Sequence, residues 1–322
     1  MKIGIVGATG LVGSKIHEIL KSNKRYDQIL LSASNETASK ESNILTVQEL
    51  LEMSPDVVIF SAGSEISLQF APVFASKGIK VIDNSSAWRM NKDIKLIVPE
   101  VNAEKINKED FIIANPNCST IQLVMVLYPL LLNFGLKRAI VSTYQSVSGS
   151  GKIALKQLEQ ELNKKETKKH YPHKIHDNVI PHIDVFLENG YTKEEIKITE
   201  ETKKILSKKD LLISATAVRI PITNCHSESI MIELEKKTER QKIIDVLGSS
   251  EGIIVQDNIN ENVYPMPIHS SGKDEVFVGR IRKDLDIKNA FHLWIVSDNL
   301  RKGAATNAVQ ISDYLFDKGF LD

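Results

Sequence analysis

The chain has 322 residues, with 41 Lys and Arg against 41 Asp and Glu, so no overall field draws it to nucleic acid or to a membrane surface. Apolar residues make up 42% and charged residues 25%, a globular balance with room for one large α/β domain or two smaller ones. Two cysteines, Cys118 and Cys225, cannot make a disulfide scaffold and suit a reducing compartment.

The expected location is the cytoplasm. Lys2–Val6 reads directly as a strand, without the apolar core and cleavage site of a signal peptide. The most apolar later run, residues 123–132, holds about ten residues against the roughly 20 that span a bilayer.

Gly7-Ala8-Thr9-Gly10-Leu11-Val12-Gly13 follows the first strand, and Leu11, Val12, Ile16, Ile19 and Leu20 then recur at helical spacing. Glycines on a strand-to-helix turn are the pattern of a dinucleotide loop, in which the backbone approaches a pyrophosphate at a helix N-terminus. The second strand, Gln28–Ser32, runs into Ala33, Ser34, Asn35 and Glu36, where a fold of this kind reads the adenosine ribose. Ser32 and Ser34 could hold a 2′-phosphate, whereas Glu36 suits a 2′-hydroxyl, so NADP and NAD both remain open here.

Residues 47–53 read as a helix, 56–60 as a buried strand, 68–76 as a helix and 80–83 as a strand. Such alternation implies a doubly wound parallel sheet with function at the strand C-termini. Ser61 and Gly63 follow one of these strands, and Arg89 follows the next, where a guanidinium suits a phosphate.

Asn115-Pro116-Asn117-Cys118-Ser119-Thr120 then joins an apolar strand, 111–114, to a helix beginning at or just after the cysteine. A thiol there meets unpaired N–H groups and the positive end of a helix dipole, both of which favour the thiolate. The alternative is a buried thiol packed as a small hydrophobe.

Beyond Cys118 the chain is expected to form an α+β unit with an antiparallel or mixed sheet, from β-rich runs at 139–147, 211–220, 228–235, 275–283 and 291–297. The two domains expected are residues 1–117 with the C-terminal helix 300–322, and residues 118–299. Polar residues 164–180 read as a surface loop. Its evenly spaced His170, His173 and His176 have no acidic or thiol companion before Asp177, so no metal site is expected. Pro221 ends a strand, and His226 is expected in the loop after it, as a candidate acid/base for a reactive cysteine.

Several blocks resemble bacterial aspartate-β-semialdehyde dehydrogenases. They are the glycine loop, Asp83-Asn84-Ser85-Ser86 with Arg89, Asn115–Thr120, Ser142–Gln145 with Val147-Ser148-Gly149, Arg219-Ile220-Pro221 with His226-Ser227-Glu228, and Val296–Asn299 with Lys302–Ala305. The resemblance implies reductive dephosphorylation of β-aspartyl phosphate with NADPH, in a homodimer. It implies Cys118 as the nucleophile, Gln145 as the residue orienting the acyl group, and His226 as acid/base. Arg219 would bind the substrate α-carboxylate and Glu194 its amino group, with Arg89, Asn117 and Lys197 completing the substrate site. It carries the cofactor to Gly7–Gly13, Ser32, Ser34, Ser61, Gly63, Ser148, Gly149 and Asn299.

Ser34 stands where NADP-preferring members commonly have arginine, and His173 and His176 are outside the family pattern. N-acetyl-γ-glutamyl-phosphate reductases share the chemistry but usually carry their cysteine as Gly-Cys-Tyr-Pro. A non-catalytic redox sensor using Cys118 and Cys225 is the reading from another class.

Overall fold

The computed structural model describes residues 1–166 and 168–321. The chain divides into two compact units, Met1–Asn117 with Ala304–Asp322, and Cys118–Gly303.

The first unit is built on six strands: β1 (Lys2–Val6), β2 (Gln28–Ser32), β3 (Val57–Phe60), β4 (Lys80–Asp83), β5 (Lys95–Leu96) and β6 (Ile112–Ala114). All pair in parallel, in the order β2-β1-β3-β4-β6-β5. Strands β3 and β4 are buried along their whole length, as a sheet covered on both faces demands. One apolar layer sets Ile3, Ile5, Ile59 and Ile82 against Ile16 and Leu20 and against Ala308, Ile311 and Leu315 of the helix Thr306–Asp317. The strands end in register: Ser32, Val6, Phe60, Asp83, Ala114 and Leu96 form one row. The loops that leave this row therefore share one edge, and the order reverses at β1, where such sheets take ligands.

The second unit holds β7 (Leu136–Gln145), β8 (Leu212–Arg219), β9 (His226–Leu234), β10 (Ile253–Val255), β11 (Val276–Lys283) and β12 (Ala290–Ser297). The sheet order is β10-β11-β12-β9-β7-β8. It is mixed, parallel at β10/β11 and β7/β8 and antiparallel elsewhere. Strand β10 and the helix Arg240–Gly248 lie outside the runs that the sequence singled out; the strand has three residues, too few for alternation to register.

The helix that begins at Cys118 runs 17 residues to Phe134, through Pro129. An interior proline costs a helix about 3 kcal/mol. Burial of Ile121, Leu123, Val124, Val126, Leu127 and Leu130, each contributing about 1.5–3 kcal/mol, outweighs that cost. The helix packs on β7, β9, β11 and β12. Among the described residues no helix is long and apolar enough to cross a membrane.

Candidate active site

The sheet face beneath the cysteine helix changes character along its strands. On β7 the inward positions read Ala139, Val141, Thr143, Gln145; on β9, approached from the other end, they read Ile232, Ile230, Glu228, His226. On β12 Phe291, Leu293 and Ile295 lead to Ser297, and on β8 Ala215 and Ala217 lead to Arg219. Register pairs Arg219 with Gln145, Gln145 with His226 and His226 with Ser297. An apolar floor thus ends in a buried polar row contributed by four strands, with the four residues between 0% and 3% exposed.

His226 is the first residue of β9 and wholly buried, which corrects its expected place in a loop. The turn before it is tight: Cys225 takes the left-handed conformation at φ 70°, so the strand resumes one residue after the break. The peptide N–H of Ser146 donates to His226 Nδ1 at 3.0 Å. Burial, aided by the Arg219 charge, pushes the imidazole down to about 3. The Nε2 atom is buried without a hydrogen-bond partner. A Cβ on Gly149 would lie 3.1 Å from Nε2, from Cε1 and from Arg219 Nη1, so only glycine leaves that edge of the ring uncovered.

Arg219 Nη1 donates to the Ser146 carbonyl. Its guanidinium lies 5.9 Å from the Tyr171 ring centroid, and its backbone pairs with Ile180 in both directions, at 2.8 and 3.0 Å. The polar loop after the helix Lys152–Leu162 is therefore docked on β8. Gln157 Oε1 accepts the N–H groups of His170 and Tyr171, and Glu161 Oε2 those of Ile175 and His176. Among the described residues no group of three or more His, Cys, Asp or Glu could hold a metal ion.

Gln145 Nε2 donates to Glu194 Oε1 at 3.1 Å. Lys197, one turn along the same helix, reaches Glu194 at 3.4 Å and Asp184 at 2.6 Å. The helix brings Glu194 and Lys197 to one face, but the ammonium is already shared between two carboxylates. Asp184 carried no sequence signal; it lies in an irregular stretch at φ 68°.

Cys118 is half-buried at the start of its helix. A Cβ on Gly303 would meet Cys118 Cβ at 3.1 Å, which explains a glycine in the Lys302–Ala305 block. Gln122, one turn on, adjoins Glu228. Burial, opposed by that amide, raises the Glu228 carboxyl well above its usual range. Cys225 is wholly buried, and burial together with Asp298 pushes its thiol up to about 12, so it is not a reactive partner at neutral pH.

Ser146 Oγ donates to Asn299 Oδ1 at 3.0 Å, and Asn299 Nδ2 to Ser148 Oγ at 3.0 Å. Ser148, Gly149 and Asn299 thus stand beside His226.

In the first unit Gly7 has φ 84°, and a Cβ there would lie 2.5 Å from the Ser61 carbonyl oxygen; one on Gly13 would collide with the Gly7 carbonyl. The N–H groups of Gly7 and Ala8 bond to the Ser32 carbonyl at 2.8 and 2.9 Å. Ser32 is wholly buried and serves the loop through its backbone. Ser34 caps a short helix, Asn35–Ala38, and Glu36 pairs with Lys40 at 2.6 Å. Gly63 precedes the helix Ser64–Ser76 at φ 87°. Arg89 is buried and donates to the Asn84 carbonyl at 2.8 Å, so it is no ordinary surface charge. Asn117 is buried and directly precedes Cys118.

A glycine-turn parallel sheet joined in one chain to a mixed sheet with a buried polar row defines a nucleotide-dependent oxidoreductase of the semialdehyde dehydrogenase class. Residues 2–109 match the family model for the semialdehyde dehydrogenase NAD binding domain, and residues 127–302 that for its dimerisation domain. The aspartate-semialdehyde dehydrogenase of Aquifex aeolicus is 47% identical over 99% of both chains, and that of Bacillus subtilis is 45% identical over 98% of this chain and 97% of the other. A crystal structure of aspartate semialdehyde dehydrogenase II complexed with ASA from Vibrio cholerae is 38% identical, with a TM-score of 0.92 over 98% of both chains. The chain belongs to the aspartate-semialdehyde dehydrogenase family.

Proposed function

We propose that the protein converts β-aspartyl phosphate to aspartate semialdehyde and phosphate through a thioacyl intermediate on Cys118. The observation that carries this reading is the buried row Arg219–Gln145–His226 facing a helix that starts with a half-buried thiol. Cys118 Sγ adds to the acyl carbon, and Gln145, held by Glu194, orients the acyl group. His226 serves as acid/base candidate at the reacting carbonyl. Arg219 receives the substrate α-carboxylate, for which a planar guanidinium is matched, and Glu194 receives the α-amino group. Arg89, Asn117 and Lys197 complete the substrate site.

The glycine turn of the first unit supports a dinucleotide pyrophosphate at the N-terminus of the helix Leu11–Leu20, since Gly7 and Gly13 let strand and helix close where any Cβ would strike the Ser61 and Gly7 carbonyls. Gly7–Gly13, Ser34, Ser61 and Gly63 would hold the cofactor there, with Ser148, Gly149 and Asn299 as further contacts. A bound nicotinamide cofactor supplies the hydride, and NADP is the form proposed, with NAD as a weaker substitute.

A homodimer is the proposed assembly. The outer face of the second sheet carries exposed Ile140 and Leu212, with Val218, Tyr144, Met231 and Trp294 half-buried around them. A contiguous apolar face of this kind suits a partner, and the dimerisation-domain match supports a second copy as the occupant. A cytoplasmic location accords with two cysteines that form no disulfide.

The deciding assay runs in the oxidative direction, with aspartate semialdehyde, phosphate and NADP. Phosphate-dependent reduction of NADP is expected. Turnover of N-acetylglutamate semialdehyde instead would favour the related reductase, and nucleotide binding with no turnover would favour the sensor, a reading that the inert Cys225 already disfavours.

A further inference from the structure

The histidine-bearing stretch expected as a surface loop turns one residue inward. Tyr171 is 8% exposed. Its ring packs with Val147, Ala154, Ile175 and Ile180, and its backbone N–H donates to Gln157 Oε1 at 3.0 Å. Ring and backbone are both fastened to the helix Lys152–Leu162 and its surroundings, so the direction of the phenol is set before any ligand arrives.

Most buried polar atoms have a hydrogen-bond partner. Among the described residues Tyr171 Oη has none, and neither has Nε of Arg219, which is 3% exposed. The two side chains are neighbours, with the guanidinium carbon 5.9 Å from the Tyr171 ring centroid. Burial raises the phenol pKa, and the Arg219 charge and the Ser150 hydroxyl only temper that rise. Neither of those groups completes a hydrogen bond of ordinary geometry with Oη. The phenol therefore keeps its hydrogen at neutral pH. A guanidinium offers donors alone, so that hydrogen cannot go to Arg219. The Ser146 carbonyl at this guanidinium already accepts from Nη1. An acceptor that satisfies Arg219 Nε and Tyr171 Oη together needs two oxygens and a negative charge, which describes a carboxylate.

We propose that Tyr171 donates its phenol hydrogen to the carboxylate that Arg219 receives, and that this second donor makes the site selective for aldehydes bearing an α-carboxylate. The inference rests on the proposed function for the identity of that ligand. Buried donors reject a ligand that lacks the matching acceptor more strongly than a pocket rejects one of the wrong size, because the donors are left unpaired. Arg219 supplies the charge, and Tyr171 adds a single directed hydrogen beside it. No motif marks Tyr171, since it lies in a polar stretch and only the fold brings it to β8.

The test is Tyr171→Phe, which keeps the ring in its cluster and removes Oη alone. With aspartate semialdehyde, phosphate and NADP, the substrate KM should rise about tenfold or more, as for one hydrogen bond to a charged group, with kcat within about twofold. The preference in kcat/KM for aspartate semialdehyde over 3-aminopropanal, which lacks the α-carboxylate, should narrow by the same factor. The melting temperature should not fall, because Oη has no partner in the fold to lose. Parental kinetics would overturn the inference. So would a lower melting temperature with equal loss on both aldehydes, the signature of a purely structural residue. A reading free of turnover is binding of L-2-aminobutyrate, which has the α-carboxylate and amino group but no aldehyde, followed by NMR titration of the resting protein. Tyr171→Phe should bind it about tenfold more weakly than the parent, and equal binding would also count against the inference. If the parent fails to turn over aspartate semialdehyde while that difference in binding holds, the proposed function falls and Tyr171 stands as a carboxylate contact.

Discussion

The two sheets present function in opposite ways. In the parallel sheet the strands stop in one row and loops beyond that row make the cradle, largely from backbone: Gly7, Gly13 and the Ser32 carbonyl matter for the atoms they lack or the main chain they offer. In the mixed sheet the proposed site is made chiefly of the last inward side chains of the strands themselves, Arg219, Gln145 and His226. A loop of backbone donors suits a ligand recognised by its phosphates. A row of side chains fixed by strand pairing suits chemistry in which distances must hold within a fraction of an ångström.

The sharpest way to break this comparison is to remove the thiol. Cys118→Ala should lower kcat by at least about 10⁴-fold, while nucleotide affinity measured by fluorescence titration stays within about twofold, because the cradle lies wholly in the other unit. Loss of both together would mean that the units do not divide the work, and a dead Cys225→Ala with an active Cys118→Ala would reverse the assignment. Next, Arg219→Lys keeps the charge and loses the fork. Its kcat/KM should fall about 10- to 100-fold, in line with one or two charge-assisted hydrogen bonds, with most of the change in substrate KM; parental kinetics would place Arg219 outside the site.

In the cradle the effects should be smaller. Glu36 already holds Lys40, so Ser34→Arg supplies the only new cation free to meet a 2′-phosphate. The NADP over NAD preference in kcat/KM should rise about tenfold, and no change would show that other residues read the phosphate.

The smallest kinetic effect is expected beneath the polar row. Glu228 ionises near 4.5 in the unfolded chain and stays protonated well above that value when folded. Its stabilising contribution is therefore complete below about pH 4.5 and is lost as pH rises through the folded value, by at most about 1.4 kcal/mol per pH unit. Glu228→Gln should gain stability relative to the parent between pH 5 and pH 8, read from urea midpoints, with little change near pH 4. Parallel stability curves would mean that the carboxyl is ionised in the fold.

The same contrast governs what the sequence disclosed. The glycine turn was legible because strand, turn and helix are neighbours in the chain. So was the start of the cysteine helix. The row Arg219–Gln145–His226 was not, since its register pairs residues 74 and 81 apart in the chain, Arg219 on β8 with Gln145 on β7 and Gln145 with His226 on β9, and short-range patterning carries no information on which rungs align. His226 was misplaced because Pro221 ends the pattern and the left-handed Cys225, which restores it, gives no local sign. Asp184 and Ser146 act through a salt bridge across a loop and through a peptide N–H, neither of which leaves a trace in composition. The family resemblance named residues that geometry alone would have left unranked.

The docking of the Tyr171–Ile180 stretch has a consequence for durability. Strand β8 is a sheet edge, and edges recruit foreign strands when left open. Ile180 closes that edge at Arg219 by two backbone bonds, and Gln157 and Glu161 moor the stretch by four more. A protease nick within the exposed segment Pro172–Lys174 would leave both sheets intact while slackening the moorings. Nicked enzyme should then begin to aggregate through the bared edge and, with Arg219 in its proposed role, ageing of the preparation would show as a rising KM before any fall in melting temperature.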